Sequence, residues 1–431
     1  MTVAAVQSGQ AGSAGSSVFD EVESRVRLYC RKFPAVFTSA RGSTLVAEDG
    51  REFLDFFCGA GALNYGHNDP RMVARLVEYL HSGGPLHGLD LHTTAKRHFL
   101  RRLRDVVLAP RGLDHRVQFC GPTGTDAVEA ALKVTRKATG RRQVVAFTGA
   151  FHGMSHGSLS VTGSRAARGG HHLGGDVLFL PYEDGPTGRF DSLAVLAHLI
   201  DDPSGGAGPP AAVLVESLQM DGGVYPASAG WLRALRELTA ARGVPLVCDE
   251  IQAGCGRTGR FFGFEHAGIV PDAITLSKSL GGAGLPISVL LLRPELDVWE
   301  PGEHTGTFRG NQLAFVAGAA ALDLWEDPAF LARLALHGDR MARFAADVRA
   351  LGLPTRARGM VVGVDTPTLE AAERVQRDCY DRGLILETCG RRDSVLKVTP
   401  PLTITRADLD RGLGVLHAAI HREITPGREQ G

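Results

Sequence analysis

Lysine is scarce in this chain. Of its 47 basic residues only six are lysine: Lys32, Lys96, Lys133, Lys137, Lys278 and Lys397. Long apolar runs are missing too, and with them any helical segment able to span a bilayer. The first residues show no basic region followed by an apolar stretch, so no secretion signal is expected and the cytoplasm is. Charge of one sign is also lacking in bulk. The 47 basic and 47 acidic residues give a formal net charge of zero. No broad field therefore favours nucleic acid or an anionic membrane as a partner. The seven cysteines are Cys30, Cys58, Cys120, Cys248, Cys255, Cys379 and Cys389, with no C-x-x-C pair among them. An odd, scattered set reads as free thiols, not as a zinc site or a disulfide framework.

At 431 residues the chain is long for one compact core and suits a large domain with a smaller one. Residues 1–17 are rich in Gly, Ser and Ala and predict a disordered tail. Residues 18–80 read as mixed short elements. They close in a helix near Pro70–His81, for which Asn68-Asp69-Pro70 supplies the start signal. From Val117 the pattern alternates. Strand-like runs are Val117–Phe119, Val144–Thr148, Val177–Leu180, Ala211–Glu216, Leu246–Asp249, Ala273–Leu276 and Ile287–Leu292. Helix-like runs are Asp126–Thr139 and Trp231–Arg242. Short apolar strands between amphipathic helices predict an α/β fold with a buried, mostly parallel sheet. The pattern breaks near Leu324–Pro328. Beyond it come a long helix around Phe330–Leu351, a strand Met360–Val364, a helix Leu369–Arg382, and strands Leu384–Glu387 and Val395–Val398. These suggest a smaller α+β region. The expected division is 1–17, 18–80, 81–325 and 326–431.

Lys278 stands between two serines directly after the run Ala273–Leu276, and Asp249 ends another apolar run 29 residues earlier. An acid and a lysine at the ends of neighbouring strands suit pyridoxal phosphate. The lysine would form a Schiff base, and the acid would keep the pyridine nitrogen protonated. A surface lysine and a loop-capping acid are the plain alternatives. Gln252, three residues on from Asp249, is a candidate donor to the cofactor's ring oxygen. Gly121-Pro122-Thr123-Gly124-Thr125-Asp126 follows a strand and opens a helix, which suits a phosphate. It is not a Walker loop, and a capping box of Asp126 with Glu129 would explain it equally. Phe151 follows another strand and could cover one face of a flat ring, or simply pack. His152 lies beside it. His152 and His156 lack the E-x-x-H context and third ligand of a metal pair, so no metal is expected.

Together these motifs resemble the class III (ω-amino acid) aminotransferases of fold-type I, over nearly the whole chain after the tail. The resemblance rests on an ordered set: F-C-G-A-G-A-L-N-Y-G-H-N-D-P (57–70), G-P-T-G-T-D-A-V-E-A-A-L-K (121–133), F-H-G-M-S-H-G (151–157), V-E-S-L-Q-M-D-G-G (215–223), V-C-D-E-I-Q-A-G-C-G-R-T-G (247–259), T-L-S-K-S-L-G-G-A-G-L-P (275–286), G-T-F-R-G-N-Q-L-A (306–314) and L-K-V-T-P-P-L-T-I-T (396–405). It implies a large domain with a mostly parallel sheet. The smaller α+β domain would be formed by the N-terminal segment and the C-terminal region. It also implies the site: Lys278 and Asp249 as catalytic residues, with Gly124, Thr125, Phe151, His152 and Gln252 at the cofactor. Thr307 would reach the phosphate from the other subunit of a homodimer or dimer of dimers.

The blocks G-P-T-G-T, G-T-F-R-G-N with Arg309, A-P-R-G-L-D (109–114) and T-T-A-K-R (93–97) are similar to those of diaminobutyrate–2-oxoglutarate aminotransferases. That group passes the amino group of glutamate to aspartate 4-semialdehyde, in ectoine or peptide natural-product pathways. Its small-molecule amino acid and aldehyde substrates are the expected partners. Asp221, Arg309 and Lys397 are the candidate substrate contacts. Two of them depart from the family pattern. Asp221 replaces a glutamate that commonly pairs with a pocket arginine, and Met220 adds bulk beside it. The shorter acid is expected to lengthen or lose that contact. Lys397 stands where many relatives have a carboxylate-binding arginine, and a lysine cannot make the bidentate fork. Rival readings are an ω-aminotransferase for ornithine, 4-aminobutyrate or a pathway-specific aldehyde, an aminomutase, or a non-catalytic scaffold that keeps the fold.

Overall fold

The computed structural model describes residues 17–169, 174, 176–183 and 190–424. All but Ser17 of the expected tail lies outside the described residues. The chain forms two compact units, one ending at Val36 and one beginning at Phe37. The first contains the short helices Val18–Val22 and Tyr29–Lys32.

The second unit is built on a seven-stranded sheet: β1 (Arg116–Phe119), β2 (Val144–Phe147), β3 (Val177–Leu180), β4 (Ala212–Glu216), β5 (Leu246–Asp249), β6 (Ala273–Leu276) and β7 (Val289–Leu292). The spatial order is β1-β7-β6-β5-β4-β2-β3. All strands run the same way except β7, which is antiparallel to both neighbours. β2, β4, β5, β6 and β7 are buried at every position. That is why their sequences are continuous apolar runs without alternation: both sheet faces are covered. Helix α1 (Gly124–Thr139) covers one face, packing Ala127, Val128 and Ala131 with Ala146, Leu214 and Val247. Helix α2 (Ala229–Ala241) covers the other, packing Leu232 and Leu235 with Val145, Val213 and Cys248. Val247 and Cys248 go to opposite faces, as a period of two requires.

Beyond the sheet come helices α3 (Gln312–Asp323), α4 (Pro328–Ala350), α5 (Leu369–Asp381) and α6 (Arg406–Ile424). Strands β8 (Thr355–Arg358), β9 (Val361–Asp365), β10 (Glu387–Cys389) and β11 (Val395–Val398) form an antiparallel sheet in the order β8-β9-β11-β10. A further sheet joins Phe37–Arg41, Thr44–Ala47 and Glu52–Asp55 to Leu384–Ile385, which pairs parallel with the last of them. Leu54, Phe56 and Met72 share a core with Phe330, Phe344, Val375 and Leu416.

The run expected as one strand, Leu384–Glu387, is therefore divided between two sheets. Helix α3 has no counterpart in the sequence reading. Nine of its twelve residues are buried, so it shows no polar face to reveal its period.

Candidate active site

The parallel strands end at one edge of the large sheet, and the cavity lies beyond that edge. In open α/β sheets this is where ligands bind. Gly124, Thr125, Phe151, His152, Glu216, Asp221, Asp249, Gln252 and Lys278 are among its lining residues. β5 and β6 are paired neighbours, with Asp249 opposite Thr275. Their register brings Asp249 and Lys278 to the same cavity.

Asp249 is the last residue of β5 and is buried. Its Oδ2 lies 2.6 Å from Nδ1 of His152. Its Oδ1 accepts from the Ile251 amide and the Thr275 hydroxyl, both at 3.0 Å. A buried carboxylate needs such donors. Nε2 of His152 is buried without a partner among the described residues.

Lys278 follows β6 with φ +50°, a left-handed conformation that a residue other than glycine adopts only when its surroundings hold it there. Its Nζ donates to the Ala60 carbonyl at 2.8 Å, and Gln252 Nε2 donates to the same oxygen at 3.1 Å. Burial pushes the Lys278 amine below the ordinary lysine range.

Helix α1 opens at Gly124, where a Cβ would stand 2.9 Å from Ile251 Cγ2. Only glycine permits that approach. Gly153, at φ +127°, is equally constrained, because a Cβ there would stand 2.5 Å from the Thr125 hydroxyl. The capping box of α1 pairs Thr123 with Asp126, not Asp126 with Glu129, the alternative explanation offered for this segment. Glu129 instead accepts from the amides of Gly157 and Ser158 at 2.8 and 3.0 Å. Those amides begin the next helix, and a carboxylate is favoured there.

Glu216, which ends β4, is not reached by sequence reasoning. It accepts from the Phe151 amide at 3.0 Å and the Met220 amide at 3.3 Å, joining two walls of the cavity. Burial, then the nearby Asp249 charge, push its carboxyl well up.

The two departures noted in the sequence meet in space. Lys397 of β11 forms an ion pair with Asp221. The shorter acid therefore does not lose a cationic partner; it has a lysine in place of an arginine. Lys397 also donates to Gln252 Oε1 at 3.2 Å and lies 2.8 Å from Glu387. Burial alone would push Asp221 up, but Lys397 and Lys278 outweigh it and hold the carboxyl below its usual range. Glu387 is a second residue that sequence reasoning misses. The available signal is an acid closing the apolar run Leu384-Ile385-Leu386.

Thr307 and Arg309 are not among the residues lining this cavity. Thr307 opens the turn Thr307–Gly310, and its carbonyl lies 2.6 Å from His87 Nε2. Arg309 pairs with Asp90 at 2.6 Å and donates to the His304 carbonyl at 3.2 Å.

This donor set fits pyridoxal phosphate. A helix N-terminus at Gly124, kept open by glycine, suits the phosphate. A buried carboxylate suits a protonated ring nitrogen, and a buried amine with a lowered pKa suits an aldehyde.

Comparison with known proteins agrees. Residues 29–420 match the family model for class III aminotransferases. A diaminobutyrate–2-oxoglutarate transaminase of Nocardia farcinica is 50% identical over 95% of this chain and 94% of its own. The uncharacterized aminotransferase y4qG of Sinorhizobium fredii is 47% identical over 97% and 95%. Among solved structures, ornithine aminotransferase of Toxoplasma gondii, with PLP at partial occupancy in its active site, superposes with a TM-score of 0.80. It is 25% identical and covers 94% of this chain and 93% of its own. A family match over most of the chain, joined to this cavity, makes the protein a member of the class III aminotransferases with pyridoxal phosphate as its cofactor.

Proposed function

We propose that the enzyme moves the amino group of L-glutamate to the terminal carbon of aspartate 4-semialdehyde. The products are L-2,4-diaminobutyrate and 2-oxoglutarate, for ectoine or peptide natural-product synthesis. The observation that carries this reading is the near full-length similarity to relatives named for that reaction.

Pyridoxal phosphate, when bound, supplies an aldehyde that exchanges amines and a ring that draws electrons from the reacting carbon. Lys278 Nζ would hold it, since burial favours the uncharged, nucleophilic amine. With the substrate amine in its place, the same Nζ would serve as base and then acid, moving the proton of the reacting carbon. Asp249, oriented by His152, Ile251 and Thr275, keeps the ring nitrogen protonated. Phe151 would cover one face of the ring, Gln252 would serve the ring oxygen, and Gly124 and Thr125 would hold the phosphate. Thr307 would complete the phosphate site from the other subunit of a homodimer, and Arg309 would contact substrate. Asp221 masks Lys397 for a substrate with no carboxylate on its reacting carbon and releases it for glutamate.

Among the described residues no helix is long and apolar enough to cross a membrane. We infer a cytoplasmic enzyme. The Asp221–Lys397 pair also suits a second reading, in which the amine comes from ornithine or 4-aminobutyrate or goes to another aldehyde. Initial rates with glutamate and aspartate semialdehyde decide. Parallel double-reciprocal lines are expected, because the first product leaves before the second substrate enters. Intersecting lines, or no rate with the semialdehyde, would sink the proposal.

A further inference from the structure

Lys397 in β11 stands directly opposite Glu387 in β10. Directly opposed residues on antiparallel strands keep their side chains adjacent, so strand register holds this pair together. The ammonium lies 2.8 Å from the Glu387 carboxylate. The other acid on this lysine is held differently. Asp221 lies in the turn between the short strands Leu218–Gln219 and Tyr225–Pro226, and it lines the cavity. The side chain of Lys397 is 1% exposed, that of Glu387 11% and that of Asp221 31%. One cation thus meets two carboxylates, one fixed behind it and one on the cavity wall. The cluster carries one negative charge in excess.

We propose that Glu387 is a positioning residue that sets substrate selectivity. By sharing Lys397 from behind, it leaves the charge of Asp221 only partly compensated at the cavity wall, so the reacting end favours a terminal amine over an amine flanked by a carboxylate. The inference rests on the proposed function and deepens it. Diaminobutyrate presents a CH2–NH3+ group at its reacting end, whereas glutamate presents an ammonium with a carboxylate on the same carbon. That carboxylate meets a lysine already paired and an acid beside it. A unit charge a few ångströms away in a partly buried site changes affinity by about tenfold or more.

The test reads the half-reaction of the holoenzyme, as the change in cofactor absorbance with a single donor at rising concentration. The donors are glutamate and three terminal amines: L-2,4-diaminobutyrate, ornithine and 4-aminobutyrate. For Glu387→Gln the half-saturating glutamate concentration is expected to fall about tenfold and that of the terminal amines to rise, with the plateau rates changing less. Glu387→Asp, which keeps the charge, should keep the wild-type selectivity. Should the glutamine variant fail to hold cofactor, Glu387→Met removes the charge at similar volume and is read in the same way. Equal shifts for both donor classes, or none, overturn the inference. If the wild type turns over ornithine or 4-aminobutyrate but not diaminobutyrate, the diaminobutyrate reading fails, while the selectivity of Glu387 is still measured.

Discussion

Burial lowers the Lys278 amine, whereas Lys397, also buried, is raised because Asp221 and Glu387 outweigh the cost of desolvation. One lysine is thus prepared to react and the other to stay a cation. Asp221 acts on both, since its charge raises the Lys278 pKa. Removing it should lower that pKa further. The uncharged amine would then persist to lower pH. We expect the rate at which Asp221→Asn apoenzyme takes up pyridoxal phosphate to keep its high-pH value further into acid than the wild type does. Stopped-flow absorbance against pH measures this, and a shift toward higher pH would contradict it. Asp249 and Lys278 were legible because each closes an apolar run. The Asp221–Lys397 pair was not, because its members are 176 residues apart and only the folded chain brings them together. Glu387 was hidden for a related reason: strand register is not written in either strand alone.

At the scale of elements, β5 ends in two acids that serve opposite sides. Asp249 faces the cavity, while Glu250 accepts from the Ser217 hydroxyl at 2.6 Å and from the amides of Gly263 and Phe264 at 2.7 and 3.2 Å. Burial raises the Glu250 carboxyl from an ordinary 4.5 to about 7. A raised carboxyl pKa means that the folded state holds a proton the unfolded chain has already released. The stability this group contributes is therefore full below pH 4.5 and is lost as pH rises toward about 7. The loss is about 3 kcal/mol. Glu250→Gln should escape it. Denaturant midpoints at pH 5 and pH 7 are expected to differ less in the variant than in the wild type, and an equal difference would count against this reading. The strands of the large sheet were legible because short runs buried on both faces are apolar throughout. The division of Leu384–Glu387 between two sheets was not, because an apolar run does not say what it pairs with. Helix α3 was missed because a helix buried on nearly all sides has no amphipathic period.

At the scale of the molecule, distant parts of the chain close around one cavity. Arg257, fully buried, donates to Asn64 Oδ1 at 2.6 Å, the Met360 carbonyl at 2.9 Å and the Pro400 carbonyl at 2.6 Å. One side chain so links the segment before the large sheet, the loop after β5 and the C-terminal region. The α/β class followed from the alternation of strands and helices. The sharing of a sheet by residues 52–55 and 384–385 did not, because no local pattern encodes a pairing across more than three hundred residues. What this assembly achieves is the meeting of Asp249, Lys278 and the helix start at Gly124 at one sheet edge. The most direct test follows the cofactor absorbance of the purified enzyme in one cuvette, first with glutamate and then with aspartate semialdehyde. Glutamate should convert the spectrum of the aldehyde form to that of the amine form, the semialdehyde should restore it, and Lys278→Ala should show neither change. No conversion by glutamate in the wild type, or the full cycle in Lys278→Ala, would contradict a transamination centred on Lys278.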